Sequence, residues 1–361
     1  MHTIADQRLH NQRLVASPFS KPQEVVAWLG AVQSQEYLLA KWALALRLQQ
    51  AVSDSAIDQA FATGSILRTH AMRPTWHFIA PADIRWLLKL TAPRVHALND
   101  FYYRKVELDA DLFKRTADIL IRVLRDGKQL TRTEIAAQLQ QAGIATRGEL
   151  RFSYLLMYHE LEGLICSGAR QGKQFTYTLL EERVPSVQDL PRDQALTELV
   201  IRYFSSHGPA MIADFVWWSG LTVTDAKAGL ALAKPRLVSE QINGKTYWRS
   251  TAEFPATNGN APQVLLLPPF DEYAVSYRDH SGIFDPMHLE QAKASPFHGL
   301  IVIAGRGVGT WRRSFNKKSA VIEAEFFRSL TTEETAAFHA AAHRFGDFLE
   351  MPVVLPSAPP Q

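Results

Sequence analysis

The chain has 361 residues, 47% of them hydrophobic and 21% charged, with a formal net charge of +3 and a sequence pI near 8.9. Such a composition excludes disordered and fibrous classes and is long enough for two to four folded units around a sizeable core. A single cysteine, Cys166, excludes an intramolecular disulfide and fits a reducing cytoplasm; no apolar run nears the roughly 18 residues of a membrane span, and the first ten residues lack the apolar centre of a signal peptide.

Residues 1–105 read as a first unit. Val25, Val26, Leu29 and Val32 repeat at helical spacing, and Leu38, Leu39, Trp42, Ala43 and Leu46 repeat it again, so a second helix is expected from Glu36 with Ser34 as its N-cap. Within one helix, residues two apart diverge by about 200°. At a helix junction that restriction lifts, and Gln33 and Gln35 can aim their amides at one point. Such amides donate and accept hydrogen bonds but take no proton. By itself a solvated corner between helices is the simpler reading. A short helix near 55–63, a break at Gly64 and a hairpin over 66–79 follow, with Pro74 near its turn, then a long helix over 82–104. Three helices and a β-hairpin form the winged-helix plan.

Residues 106–190 repeat that plan. A helix over 113–125 precedes Thr131 and Glu134, a capping-box pair that starts a second helix closed by Gly143. A third helix spans 151–164, and 170–179 reads as a wing turning at Gly172-Lys173. After a charged linker at 181–192, a third copy fills 191–258: helices over 194–206, 211–218 and 224–232, then a hairpin over 238–249 around Asn243-Gly244, a type I′ signal. The period is about 80 residues. A linker is expected at 257–262. Beyond it, 262–361 is β-rich, with strands expected at 264–267, 273–277, 300–304, 308–312 and 320–326, a turn at 305–307, a helix over 332–348 and a frayed tail from 356.

From Gln291 to Ile322 no acidic residue occurs, while Lys293, Arg306, Arg312, Arg313, Lys317 and Lys318 supply six positive charges. Trp311 and Phe315 stand among these cations, the mixture that phosphate contact and stacking require. A solvated basic hairpin is the competing reading. The third helices of copies two and three carry few of the Arg, Asn and Gln side chains that read base edges, so those copies read as architectural. Asp271, Glu272, Asp279 and His280 invite carboxylate or metal chemistry, but adjacent carboxylates in a Pro-rich loop more often satisfy backbone amides. His339, His343 and Asp347 share an ordinary helix face without the intervening Glu of a zinc protease. No metal or cofactor is expected.

Four stretches in register, Val32-Gln-Ser-Gln-Glu-Tyr37, Met72-Arg-Pro-Thr-Trp-His77, Leu267-Pro-Pro-Phe-Asp-Glu-Tyr273 and Val308-Gly-Thr-Trp-Arg-Arg313, resemble the AlkZ-like winged-helix DNA glycosylases over nearly the whole chain. The resemblance implies an α+β fold of three tandem winged-helix motifs plus a β-rich C-terminal domain, with a C-shaped surface for damaged double-stranded DNA. It further implies removal of bulky N7-alkylated purines, including those that crosslink two strands. The family's Gln-x-Gln motif maps onto Gln33 and Gln35, which would position the hydrolytic water. Gln at the second position, where a sister branch has Asp, resembles the branch acting on antibiotic-type crosslinks. Arg312, Arg313, Lys317, Lys318 and Trp311 would grip DNA; Arg73, Thr75 and His77 would line the site. The expected protein is a monomer of the cytoplasm and nucleoid, away from membranes. Two rivals stand beside this reading: a non-catalytic winged-helix regulator or damage sensor, and a scaffold that sequesters an alkylating toxin.

Overall fold

The structure, a computed structural model, describes residues 3–184, 189–251, 263–295 and 297–355. It opens with a helix that apolar spacing does not reveal, α1 (Ile4–Asn11), because its buried face includes Arg8 and His10. Then follow α2 (Pro22–Leu29), β1 (Val32–Gln33), α3 (Tyr37–Ala45), α4 (Asp54–Ala62), the hairpin β2 (Leu67–Ala71) and β3 (Thr75–Ile79), and the long α5 (Ile84–Lys105). β1 joins the hairpin as a third strand in the order β1-β3-β2.

The same succession returns as α6 (Ala110–Leu124), β4 (Leu130–Thr131), α7 (Arg132–Gln141), α8 (Glu149–Leu161), β5 (Ile165–Ser167) and β6 (Thr176–Leu179), in sheet order β4-β6-β5. The expected capping box starts α7: Thr131 Oγ1 accepts from the Glu134 amide and Glu134 from the Thr131 amide. The expected wing is displaced. Its first strand is β5, upstream of Arg170, and only the tip, closed by the Gln171 amide donating to the Gln174 carbonyl, turns at Gly172-Lys173.

Part of the expected linker is helical, α9 (Leu180–Arg183), and the rest of it up to α10 includes residues outside those described. A third succession then runs through α10 (Arg192–Ser206), α11 (Ile212–Ser219), α12 (Val223–Ala233), β7 (Leu237–Ile242) and β8 (Lys245–Ser250), with one bridge between Ala210 and Trp248 replacing the first strand. Asn243 and Gly244 both take positive φ at the β7–β8 turn, as a type I′ turn demands. The linker expected at 257–262 and the tail from 356 lie outside the described residues.

The C-terminal part is β9 (Val264–Leu267), α13 (Glu272–Val275), α14 (Leu289–Ala294), β10 (Gly299–Ile303), β11 (Arg306–Phe315), β12 (Ala320–Phe326), α15 (Thr332–Leu349) and β13 (Val353–Val354). Its sheet runs β13-β12-β11-β10-β9, antiparallel except for β12 with β13. Two expectations fail here. The strand expected at 273–277 is the helical turn α13, because Asp271 caps it by accepting from the Tyr273 amide at 2.9 Å. Tyr273 and Tyr277 are buried by a four-residue spacing, not by strand alternation. The expected turn at 305–307 is the two-residue Ala304-Gly305, since Ile303 already pairs with Arg306.

One hydrophobic core runs through the first succession, the third and the C-terminal sheet, whereas residues of the second gather around their own core of Phe113, Leu120, Ile135, Leu155 and Tyr177. Trp42 and Trp311 fix the shared core: their indole N–H groups donate to the Leu266 and Leu267 carbonyls at 2.8 and 2.7 Å, and both rings pack on Phe345. Arg47 ties the same elements together. All five of its N–H donors are used, two on Asp271 at 2.7 and 2.8 Å and the others on Gln12 and the Ala43 carbonyl.

Candidate active site

Strand pairing places Gln33. Val32 pairs with Phe78 and Gln33 with His77, and the Ser34 amide extends the ladder by donating to the Trp76 carbonyl at 2.7 Å. Ser34 is therefore not the helix N-cap. Its buried hydroxyl has no hydrogen-bond partner among the described residues, and α3 begins at Tyr37 after a bend at 35–36. The Gln33 amide is also fixed from below, donating to Glu272 Oε1 at 2.8 Å. Glu272 additionally accepts from Trp218 Nε1 at 2.9 Å and Ser276 Oγ at 2.5 Å, with His207 Nε2 at 3.5 Å. Burial alone would raise its pKa, but these donors outweigh it and hold the carboxyl down to about 2. An anion with that many donors is a fixed anchor for β1.

The Gln33 side chain is 8% exposed and its Oε1 accepts from Arg73 Nη2 at 3.0 Å. Arginine only donates, so the contacting atom is the carbonyl oxygen, and one of its lone pairs remains for a water O–H. Arg73 sits in the three-residue β2–β3 loop with Pro74, after Met72 at a φ of +62°. Gly220 ends α11 against that loop at a φ of +71°; a Cβ there would meet the Met72 carbonyl oxygen at 2.4 Å, so only glycine fits.

Gln33 and Arg73 open together into a cavity of about 460 Å³ walled by Trp217, the Pro268–Pro269–Phe270 loop, Val275, Phe284 and, from the basic strand β11, Thr310. Gln35 is exposed and does not line it; nor do Thr75 and His77. His77 is fully buried beside Gln33 in the sheet, and its Nδ1 lies 3.0 Å from the Thr75 carbonyl. Burial, reinforced by Arg73, pushes its pKa down to about 4. Burial does the same to His159, also to about 4. Since the unfolded chain binds those protons first, stability is expected to fall as pH drops from about 6.5 towards 4, at up to about 1.4 kcal/mol per pH unit for each proton. Thermal unfolding at pH 7 and pH 5 checks this; His77→Gln with His159→Gln should flatten the slope, and a wild-type midpoint independent of pH would refute it.

The basic ribbon is corrected in two respects. Trp311 is 2% exposed and belongs to the core, because period-two alternation along β11 turns it inward and Arg312 outward. The run is also not free charge. Arg312 Nε donates to Glu323 on the facing strand at 2.8 Å, Arg313 Nη2 to the remote Glu36 at 3.0 Å, and Lys293 Nζ to Glu290, three residues earlier on α14, at 2.8 Å. Lys317 and Lys318, in a loop where Asn316 Oδ1 accepts from the Lys318 and Ser319 amides, are exposed and make no ion pair among the described residues. The Arg313–Glu36 contact nevertheless joins β11 to the loop that holds Gln35.

Sequence reading missed Trp217 and Phe270 and set Glu272 aside. Trp217 had a local signal: two successive tryptophans on a helix lie about 100° apart, so Trp218 buried leaves Trp217 outside. Glu272 had none, its partner Gln33 being 239 residues away. Among the described residues, no three His, Cys, Asp or Glu side chains cluster as a metal site, and no helix is long and apolar enough to cross a membrane.

A sequence model of the AlkZ-like DNA glycosylases matches residues 26–348. The chain belongs to the AlkZ-like DNA glycosylase family. Within that family it is 26% identical, over 83% of its length and 85% of the relative's, to the interstrand DNA cross-link repair glycosylase of Streptomyces sahachiroi. The solved structure of the Streptomyces sahachiroi DNA glycosylase AlkZ shares its fold, with a TM-score of 0.79 at 21% identity and 98% coverage of both chains. The mixed helix-and-sheet architecture expected of the family is thus present.

Proposed function

We propose that the protein is a monofunctional DNA glycosylase that hydrolyses the N-glycosidic bond of bulky N7-alkylated purines and unhooks interstrand crosslinks, acting as a monomer on double-stranded DNA in the cytoplasm and nucleoid. The reading is carried by one observation: Gln33, in a chain of this family, is anchored at its backbone by Glu272 and at its amide by Arg73, and faces a cavity. Its relative's name, an interstrand cross-link repair glycosylase, supports the crosslink part.

The chemistry fits uncharged catalysts. Alkylation at N7 makes the purine a cation, so the C1′–N9 bond breaks with its electron pair neutralising the departing base, and no proton need be supplied. The sugar becomes oxocarbenium-like; water then adds to C1′ and its proton passes to solvent. Gln33, with one Oε1 lone pair spare, and Gln35 would hold that water and turn partial negative charge toward C1′. Arg73 holds the Gln33 amide, and His77, neutral and buried, supports it from the neighbouring strand; Thr75, next to Pro74, shapes the same loop.

The three successions of helices and hairpins (residues 1–105, 106–190 and 191–258) act in this reading as winged helices that, with 262–361, form a C-shaped support for the duplex. Lys317 and Lys318 supply free positive charge for phosphates, and Arg312 and Arg313 exchange Glu323 and Glu36 for phosphate on binding. Replacing Lys317 and Lys318 by Ala is expected to weaken binding to all sequences alike and reduce the slope of log affinity against log salt by up to about two. An unchanged slope removes this hairpin from the DNA face. The overall test is excision of a defined N7-alkylguanine from duplex DNA, read as abasic product; tight binding without that product would make the chain a non-catalytic damage sensor.

A further inference from the structure

We propose that the cavity beside Gln33 is a subsite for an uncharged aromatic substituent carried on the departing base, with Trp217 and Phe270 as its stacking walls and specificity determinants. The proposal rests on the glycosylase reading above and adds which part of the lesion the protein recognises. The cavity, at about 460 Å³, lies in the size range that accepts a drug-sized molecule rather than one small ring. Its walls are mainly apolar, with Phe284 beside the two named rings, and no Asp or Glu lines it among the described residues.

Trp217 is 49% exposed although its neighbour Trp218 is buried. Its indole N–H donates to the Val275 carbonyl at 3.0 Å, which fixes the ring plane while leaving a face uncovered. The Arg73 guanidinium lies over the ring, 5.8 Å from its centroid; a large ring held in one orientation and half exposed is a platform for another planar group. Phe270 takes a φ of +63°, a conformation unfavourable for a bulky residue. It is kept there because the next residue, Asp271, is locked to Arg47 by two hydrogen bonds. Fold-determined strain at a cavity lip is a mark of function. Charge selects the class of group: Arg73 and Lys293 both line the cavity as cations, Arg73 turned on the Gln33 amide and Lys293 on Glu290, and no carboxylate lies on the described wall, so a further cationic group would gain no counter-charge there. An uncharged aromatic ring gains burial and stacking.

The test compares single-turnover excision of N7-benzylguanine and N7-methylguanine from otherwise identical duplexes by the full chain, each rate divided by uncatalysed depurination of the same duplex. Wild type is expected to favour benzyl by about tenfold or more, and Trp217→Ala and Phe270→Ala to bring that ratio towards one; Trp217→Phe, which keeps a ring, should retain most of it. Calorimetric titration of the free bases without DNA gives a second readout, in which N7-benzylguanine should bind at least about tenfold tighter than N7-methylguanine and lose that advantage in Trp217→Ala. Excision of both lesions with no preference overturns the subsite and leaves the glycosylase reading intact. If neither lesion is excised, the glycosylase reading fails, and the titration decides the subsite: preferential benzyl binding upholds it, and equal or absent binding overturns it.

Discussion

Excision of an N7-alkylguanine by Gln33→Ala is expected to be about 10²–10³-fold slower than by wild type under single-turnover conditions, the magnitude seen when one preorganised polar group is removed from a transition state. The substitution leaves the backbone amide of residue 33 on Glu272, so β1 and the cavity wall stay in place, while Arg73 loses its partner and the cavity loses its carbonyl oxygen. Circular dichroism and a melting temperature near that of wild type would separate this loss from unfolding. Gln35→Ala gives the cleaner comparison. Its side chain is exposed, so a loss of ten- to a hundred-fold or so in excision with unchanged stability would place it at the reacting atoms. Excision at the wild-type rate by Gln35→Ala would exclude it, and by Gln33→Ala would exclude the mechanism proposed above.

Arg47→Met is expected to destabilise the protein by about 3–5 kcal/mol, measured by urea unfolding, because it leaves the Asp271 carboxylate buried without its counter-charge. Neither side chain of the pair is more than 1% exposed. The pair also joins α3 to the loop that carries Phe270 and Glu272, so the loss should loosen the cavity wall before the remaining core unfolds. Adding Asp271→Leu to Arg47→Met should recover part of the stability, since removing both charges abolishes the desolvation penalty that the single change exposes. Recovery of stability without recovery of excision would show that the pair positions the site as well as holding the fold. A loss below about 1 kcal/mol for the single variant would contradict the burial seen here.

Elements that carry their own local chemistry were legible in the amino-acid order. The Thr131–Glu134 capping box and the Asn243-Gly244 turn need no distant partner, and both form where expected. Elements decided by remote partners were not. β1 exists only because β3 pairs with it, which converts the expected cap at Ser34 into a ladder residue. Tyr273 and Tyr277 fit a strand or a helical turn equally by hydrophobicity, and Asp271 settles the matter through a hydrogen bond that no pattern displays. Of the candidate site, Gln33 and Arg73 were named and meet. Trp311 was drawn to the surface by its cationic neighbours, whereas strand alternation and the facing Phe345 bury it. Counting charge along the chain likewise overstated the ribbon, because Glu36, which neutralises Arg313, lies 277 residues away.

Trp42 leaves the ribosome about three hundred residues before Phe345 and Phe348, the rings against which it packs. The amino-terminal helices therefore wait, with an apolar face uncovered, until α15 has been made, whereas the second succession can close its own core much earlier. A nascent chain of this kind calls for holdase protection of its first hundred residues, and truncation anywhere before α15 should yield an aggregating fragment rather than a smaller working protein.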